Sequence, residues 1–272
     1  MTGPMLAPDM GLSRRLLPAP PITAPGLLVG GAVGLLAVAA LAVVGASLLP
    51  QHAAPAQRLL PPGALGHALG TDHLGRDVLA RTLAGFRWSL AVVLPASAIA
   101  VVLGTGLGLA ATANRGWHRA VLERAAETAA GFPFLVLAAP LVAVAGRGYW
   151  PLLTVLAILS STTFMWAAFE QTWGGRRPNP PAQVLGVVRT ALPVVWAFMA
   201  ADLVVAETSL SFLGAGAPEA AASWGNMLAD AWQYVGAAPW MLYTPATALL
   251  LTVVSANWLG EGLGQLWRAR LD

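Results

Sequence analysis

Residues 88–113 read WSLAVVLPASAIAVVLGTGLGLAATA, with no charged side chain between Arg87 and Arg115. A helix needs about 20 apolar residues to cross roughly 30 Å of hydrocarbon, and this run supplies them. Five further runs behave alike. They are Leu27–Leu49, about Thr128–Ala145, Trp150–Phe169, about Val184–Ala206, and about Met241–Gly260. Six candidate spans result. The composition agrees with them: 57% of the 272 residues are hydrophobic, 10% are charged, and the mean hydropathy is +0.68. A soluble domain carries about 25% charged residues. A soluble fold of this length would leave too much apolar surface in water, so a cytosolic enzyme and a disordered chain are excluded. The expected class is an all-α, polytopic membrane protein.

The basic residues are all Arg, and the net charge is only +3. No long basic run occurs, so the pI near 10.2 does not point to nucleic acid. Arg at helix ends marks the cytoplasmic face instead. With the N-terminus inside, Arg14, Arg15, Arg115, Arg119, Arg124, Arg176, Arg177, Arg268 and Arg270 all fall inside. Arg58, Arg76, Arg81, Arg87 and Arg147 fall outside. Both termini are therefore expected in the cytoplasm. The resulting organisation is a cytoplasmic segment 1–26, a first span 27–49, an external loop 50–87 with an amphipathic helix, a five-helix core 88–265, and a cytoplasmic end 266–272. Pro95, Pro133, Pro140, Pro193 and Pro245 lie within spans, where packed neighbours satisfy the freed carbonyls.

Two blocks stand out. The first is Gly70-Thr71-Asp72-His73-Leu74-Gly75-Arg76-Asp77-Val78-Leu79-Ala80-Arg81. Thr71 or Asp72 can cap a helix, and the pairs Asp72/Arg76 and Asp77/Arg81 have the favourable i,i+4 order. Leu74, Val78 and Leu83 lie near one face. The pattern predicts a surface helix that turns into the second span at Arg87-Trp88. The second block is Glu207-Thr208-Ser209-Leu210-Ser211-Phe212-Leu213-Gly214-Ala215-Gly216, followed by Ser223-Trp224-Gly225-Asn226-Met227-Leu228. Gly214, Gly216 and Pro218 end a helix, and Ser223 can cap a short one. This block either lines a pathway mouth or packs as a re-entrant loop.

Together the blocks closely resemble the signatures of the inner-membrane permeases of dipeptide, oligopeptide and nickel ABC importers. The match is to the type with a short first external loop. It covers roughly residues 65–260. The resemblance implies a type I importer fold with six transmembrane helices in a bacterial cytoplasmic (inner) membrane. It also implies a second homologous permease, two ATP-binding cassette ATPases and an external substrate-binding protein as partners, with lipid around them. The chain itself would be non-catalytic, bind no cofactor or metal, and supply half of a pathway for small peptides, nickel or metal chelates. The external candidates are Asp72, Arg76, Asp77, Asp202, Glu207, Ser209, Ser211, Trp224 and Asn226. A non-transporting scaffold or regulatory subunit is the alternative.

The same family carries a cytoplasmic coupling loop that meets the ATPase. Its end survives here as Arg189-Thr190-Ala191-Leu192-Pro193. Its acidic start is replaced by Thr172-Trp173-Gly174-Gly175-Arg176-Arg177-Pro178-Asn179-Pro180-Pro181, which opposes a regular helix. A helix can still begin at Pro181. The coupling candidates are Arg176, Arg177, Gln183, Leu185, Gly186 and Arg189.

Asp202 is a functional candidate because charge in a span is costly. It lies one to two turns before Glu207, near the expected external surface. Gly104-Thr105-Gly106-Leu107-Gly108 has no following Lys, so Gly104 and Gly108 are expected to pack helices rather than cradle a nucleotide. His52, His67, His73 and His118 lack metal-ligand spacing.

Overall fold

The apolar runs form helices because a backbone in hydrocarbon must satisfy its own hydrogen bonds. A computed structural model describes residues 23–48, 53–113, 131–173 and 181–269, with isolated positions between 120 and 128. Its principal helices are α1 (Ala24–Leu48), α2 (Val78–Ala113), α3 (Phe134–Ala145), α4 (Tyr149–Trp173), α5 (Pro181–Phe212), α6 (Trp224–Trp232) and α7 (Trp240–Arg268). The described residues contain no β-strand. The fold is all-α, as expected. Among the described residues, four helices are long and apolar enough to cross a membrane: Val78–Ala111, Tyr149–Ala168, Leu192–Phe212 and Trp240–Arg268. Phe134–Ala145 is a shorter apolar helix, and the apolar α1 runs over 25 residues. Val102, Val144, Trp150 and Leu250 are exposed on the outside of the bundle, as lipid-facing residues should be. The chain is a multi-pass membrane protein.

Small residues let the helices meet. A side chain at Gly31 of α1 would strike the Leu259 nitrogen and Ser255 oxygen of α7, both 2.6 Å from its Cβ position. A side chain at Gly104 of α2 would strike Ser161 and lie 2.7 Å from the Phe164 Cβ on α4. One at Gly108 would lie 2.6 Å from the Met165 oxygen, whereas Gly106 faces open space. The expected helix-packing role of Gly104 and Gly108 therefore holds. Between these helices lie Phe164, Leu152, Leu156, Leu203 and Leu210, all fully buried.

Two elements differ from expectation. The third span is expected to run unbroken from about Thr128; Thr128 and Gly131 are helical, but Phe132 and Pro133 interrupt the helix and α3 begins at Phe134. Proline lacks an N–H and disfavours helical geometry in the residue before it. The surface helix expected over 71–81 is also absent. Residues 71–77 form a tight turn closed by a bridge between Thr71 and Asp77, and α2 then runs without a break from Val78 into the membrane. The turn wins because Asp72 Oδ1 accepts the backbone N–H groups of Leu74 and Arg76 at 2.8 and 2.9 Å. Asn and Asp side chains that bond their own backbone favour turns over helices. Gly70 and Gly75, at φ 74° and 76°, supply the left-handed corners.

At 36 residues, α2 is about 54 Å long, more than a bilayer core needs. Its first turns extend into the loops 53–77, 146–148 and 213–239. These loops gather at one end of the bundle. The Gly148 N–H donates to the Gly216 carbonyl at 3.2 Å, and Trp240 Nε1 donates to the Thr71 carbonyl at 3.1 Å.

Candidate functional site

The two sequence blocks meet at this end. Asp77 caps α2, its Oδ1 accepting the Ala80 N–H at 2.8 Å. The first three turns of α2 then carry Arg81, Thr82, Gly85, Trp88 and Ser89 inward. From the other block, Glu207 lies four residues before Ser211 on α5, so both side chains share a helix face. Glu207 is fully buried. It accepts hydrogen bonds from Trp88 Nε1, Ser89 Oγ and Ser211 Oγ, each at 2.9 Å. Ser211 Oγ in turn accepts the Ala217 N–H at 2.9 Å, which ties the following loop to the same carboxyl group.

The short helix α6 locks against this pair. Ser223 caps it by accepting the Asn226 N–H at 3.1 Å. Trp224 is fully buried, and its Nε1 donates to the Thr82 carbonyl at 2.8 Å. The indole lies over Gly85, where a Cβ would come within 2.7 Å of the ring. Asn226 Nδ2 donates to the Pro218 carbonyl at 2.8 Å and pins the loop from the other side. Ser209 bonds its own helix, to the Val205 carbonyl at 2.7 Å.

A charged cluster sits beside this knot. Asp72 Oδ2 accepts from Arg76 Nε and from Arg81 Nη1, both at 2.7 Å. Asp230 of α6 lies 3.7 Å from Arg76 and 3.5 Å from Arg81. Arg81 is only 3% exposed, so it depends on these partners. Burial alone would raise the Asp72 pKa. The Arg76 backbone N–H and the guanidinium groups of Arg76 and Arg81 outweigh it and hold the carboxyl below its ordinary value. The expected pairs are thus half realised. Asp72 pairs with Arg76, but Asp77 pairs with His67 Nδ1 at 2.7 Å, and Arg81 goes to Asp72. The exchange follows from the cap: one Asp77 oxygen accepts the Ala80 N–H and the other meets His67, while the turn brings Asp72 to Arg81.

A cavity of about 360 Å³ opens between the blocks. Its wall includes His73, Arg76, Arg147, Ser211, Asn226 and Asp230. His73 stacks on Tyr234 with ring centroids 5.3 Å apart. Charges of both signs reach this mouth, so it suits polar or zwitterionic groups. Among the described residues no group of three or more His, Cys, Asp or Glu side chains converges to hold a metal.

Asp202 stands apart from all of this. It is ten residues before the end of α5 at Phe212, about 15 Å deeper, and not near the loop-bearing end. Gln183, Leu185, Gly186 and Arg189 fall on the first turns of α5, which starts at Pro181. Arg176 and Arg177 lie outside the described residues. Sequence reasoning overlooks Asp230, and it does not show that Trp88, expected at the interface, is also a donor to Glu207. The signal for Asp230 was its i,i+4 spacing from Asn226, one helical turn on.

No family model matches the chain. Curated relatives do. A putative peptide permease protein of Brucella suis is 31% identical over 228 residues, covering 76% of this chain and 74% of the relative. A glutathione transport system permease protein of Pectobacterium atrosepticum is 33% identical, covering 72% and 70%. A dipeptide transport system permease protein of Alkalihalophilus pseudofirmus is 32% identical, covering 77% and 73%. With the helical membrane bundle and its two joined blocks, this similarity places the chain in the family of permease subunits of peptide ABC importers.

Proposed function

We propose that this chain forms half of the translocation pathway of an ATP-driven importer of small peptides in a bacterial cytoplasmic membrane. The observation that carries the reading is the union of Glu207, Ser211 and Trp224 with Trp88, Ser89 and Thr82 at one end of the bundle. That end faces outward, both termini face the cytoplasm, and an external binding protein delivers cargo to the mixed-charge mouth. A second permease completes the pathway. Two ATPases drive it from the cytoplasm and do all the catalysis. The start of α5, with Gln183, Leu185, Gly186 and Arg189, is the coupling contact, joined by Arg176 and Arg177. ATP binding then biases a two-state bundle through α5, which reaches the signature end directly.

Relatives named for peptide, dipeptide and glutathione transport support peptide cargo. Nickel and metal chelates remain the other cargo classes of the proposal. The test is co-expression with the neighbouring subunits, followed by purification and uptake in proteoliposomes. Capture of ATPase and ATP-dependent uptake of a tripeptide is the expected result. Failure to capture an ATPase would favour a scaffold subunit, and uptake of nickel without peptide would replace the cargo.

A further inference from the structure

Asp202 lies in the membrane-spanning part of α5, ten residues or about 15 Å before its end at Phe212. A bilayer core is about 30 Å thick, so the carboxylate lies within the apolar layer. It is exposed on the bundle surface, and no described residue gives it a hydrogen bond or an ion pair. Charged groups at this depth face a water-filled cavity or the interior of an assembly, not lipid. The cavity is present. Asp202 borders a space of about 330 Å³ walled by Phe134, Leu135, Thr163, Met199 and Leu203. A second space of about 280 Å³ shares Phe134 and Thr163 and adds Thr162 and Trp166. The two spaces adjoin through Phe134 and Thr163, and among the described residues that line them Asp202 is the only charged one.

We infer that Asp202 is a specificity-determining residue of the pathway, binding the protonated amino group of peptide cargo within the membrane-spanning bundle. The inference rests on the peptide-importer reading above. A lone carboxylate with one hydroxyl is a poor metal site, since metals here require three or four ligands. An ammonium group needs no more than a carboxylate and a hydroxyl to satisfy its donors. The apolar wall beside Asp202 suits the stem and side chains of a short peptide, which are carried past without tight retention.

The test is uptake in proteoliposomes by the full complex with its binding protein, using a tripeptide with a free amino terminus and its N-acetylated form. Asp202→Asn is expected to lower uptake of the free-amino peptide about tenfold, the scale of one charge-assisted bond. Asp202→Glu should retain most of it, and uptake of the acetylated peptide should be equal in wild type and Asp202→Asn. Equal uptake of the free-amino peptide by Asp202→Asn overturns the inference, as does an equal loss for both peptides. Release of the second permease by Asp202→Asn would make Asp202 an interface residue and also overturn it. Absence of any peptide uptake by the wild type would instead remove the importer reading beneath it.

Discussion

The indole N–H of Trp224 donates to the carbonyl of Thr82, 142 residues earlier, at 2.8 Å. This bond joins the second signature block to the first inside the protein. Trp224 also packs on Phe86, with ring centroids 5.9 Å apart. Trp224→Ala should destabilise the bundle by about 3–5 kcal/mol, and Trp224→Phe by clearly less, because only Ala opens a large cavity. Thermal unfolding in detergent measures both. Equal losses would show that the hydrogen bond, not the packing, dominates.

Glu207 gathers Trp88, Ser89 and Ser211. Glu207→Ala removes the common acceptor and leaves buried donors unpaired, at about 1–3 kcal/mol each. Glu207→Gln keeps one carbonyl acceptor, and the Ser hydroxyls can rotate to accept from its amide. The Gln variant should therefore unfold at a higher temperature than the Ala variant. A Gln variant as unstable as Ala would mean that negative charge, not hydrogen bonding, is what the site requires.

The Asp72 cluster predicts a pH dependence. The folded carboxyl titrates below its ordinary value of 3.8. Its stabilising contribution is thus complete above about pH 5 and is lost as pH falls through the lower folded pKa. Asp72→Asn lacks this contribution. The melting-temperature gap between wild type and Asp72→Asn should be constant above pH 5 and close in acid. A gap that widens in acid would reverse the assigned sign.

Gly104 and Gly106 differ by one face of α2. Gly104→Leu should separate α2 from α4, because its side chain enters Ser161 and Phe164. Gly106→Leu meets nothing within 4 Å and should fold normally. Yields of monodisperse protein after detergent extraction distinguish the two. Comparable behaviour would disprove the packing of these helices.

Replacing Pro180–Leu185 with a Gly/Ser segment should abolish cargo-stimulated ATPase activity in the assembled complex while the subunits still co-purify. The replaced residues include the first turns of α5, whose rigidity would carry the signal. Unchanged stimulation would place coupling elsewhere.

Much of this was legible in the chain alone. The scarcity of charge and the length of the uncharged runs determined a helical membrane bundle, since only internally bonded backbone survives in hydrocarbon. The spacing of Gly104 and Gly108 already marked a helix contact, and Ser223 already marked a cap. Local rules failed where local choices competed. Asp72 could cap a helix or close a turn, and its two backbone bonds with Gly70 and Gly75 at the corners settled on the turn. Only the tertiary structure joined residues 81–89 to residues 207–224, because their pairing depends on which helix ends share one side of the bundle. Only it placed Asp202 ten residues before the end of its helix, because α5 continues to Phe212 instead of stopping near Ala206. Periodicity identifies a span from within the span, whereas depth and partners belong to the packing of one helix against another.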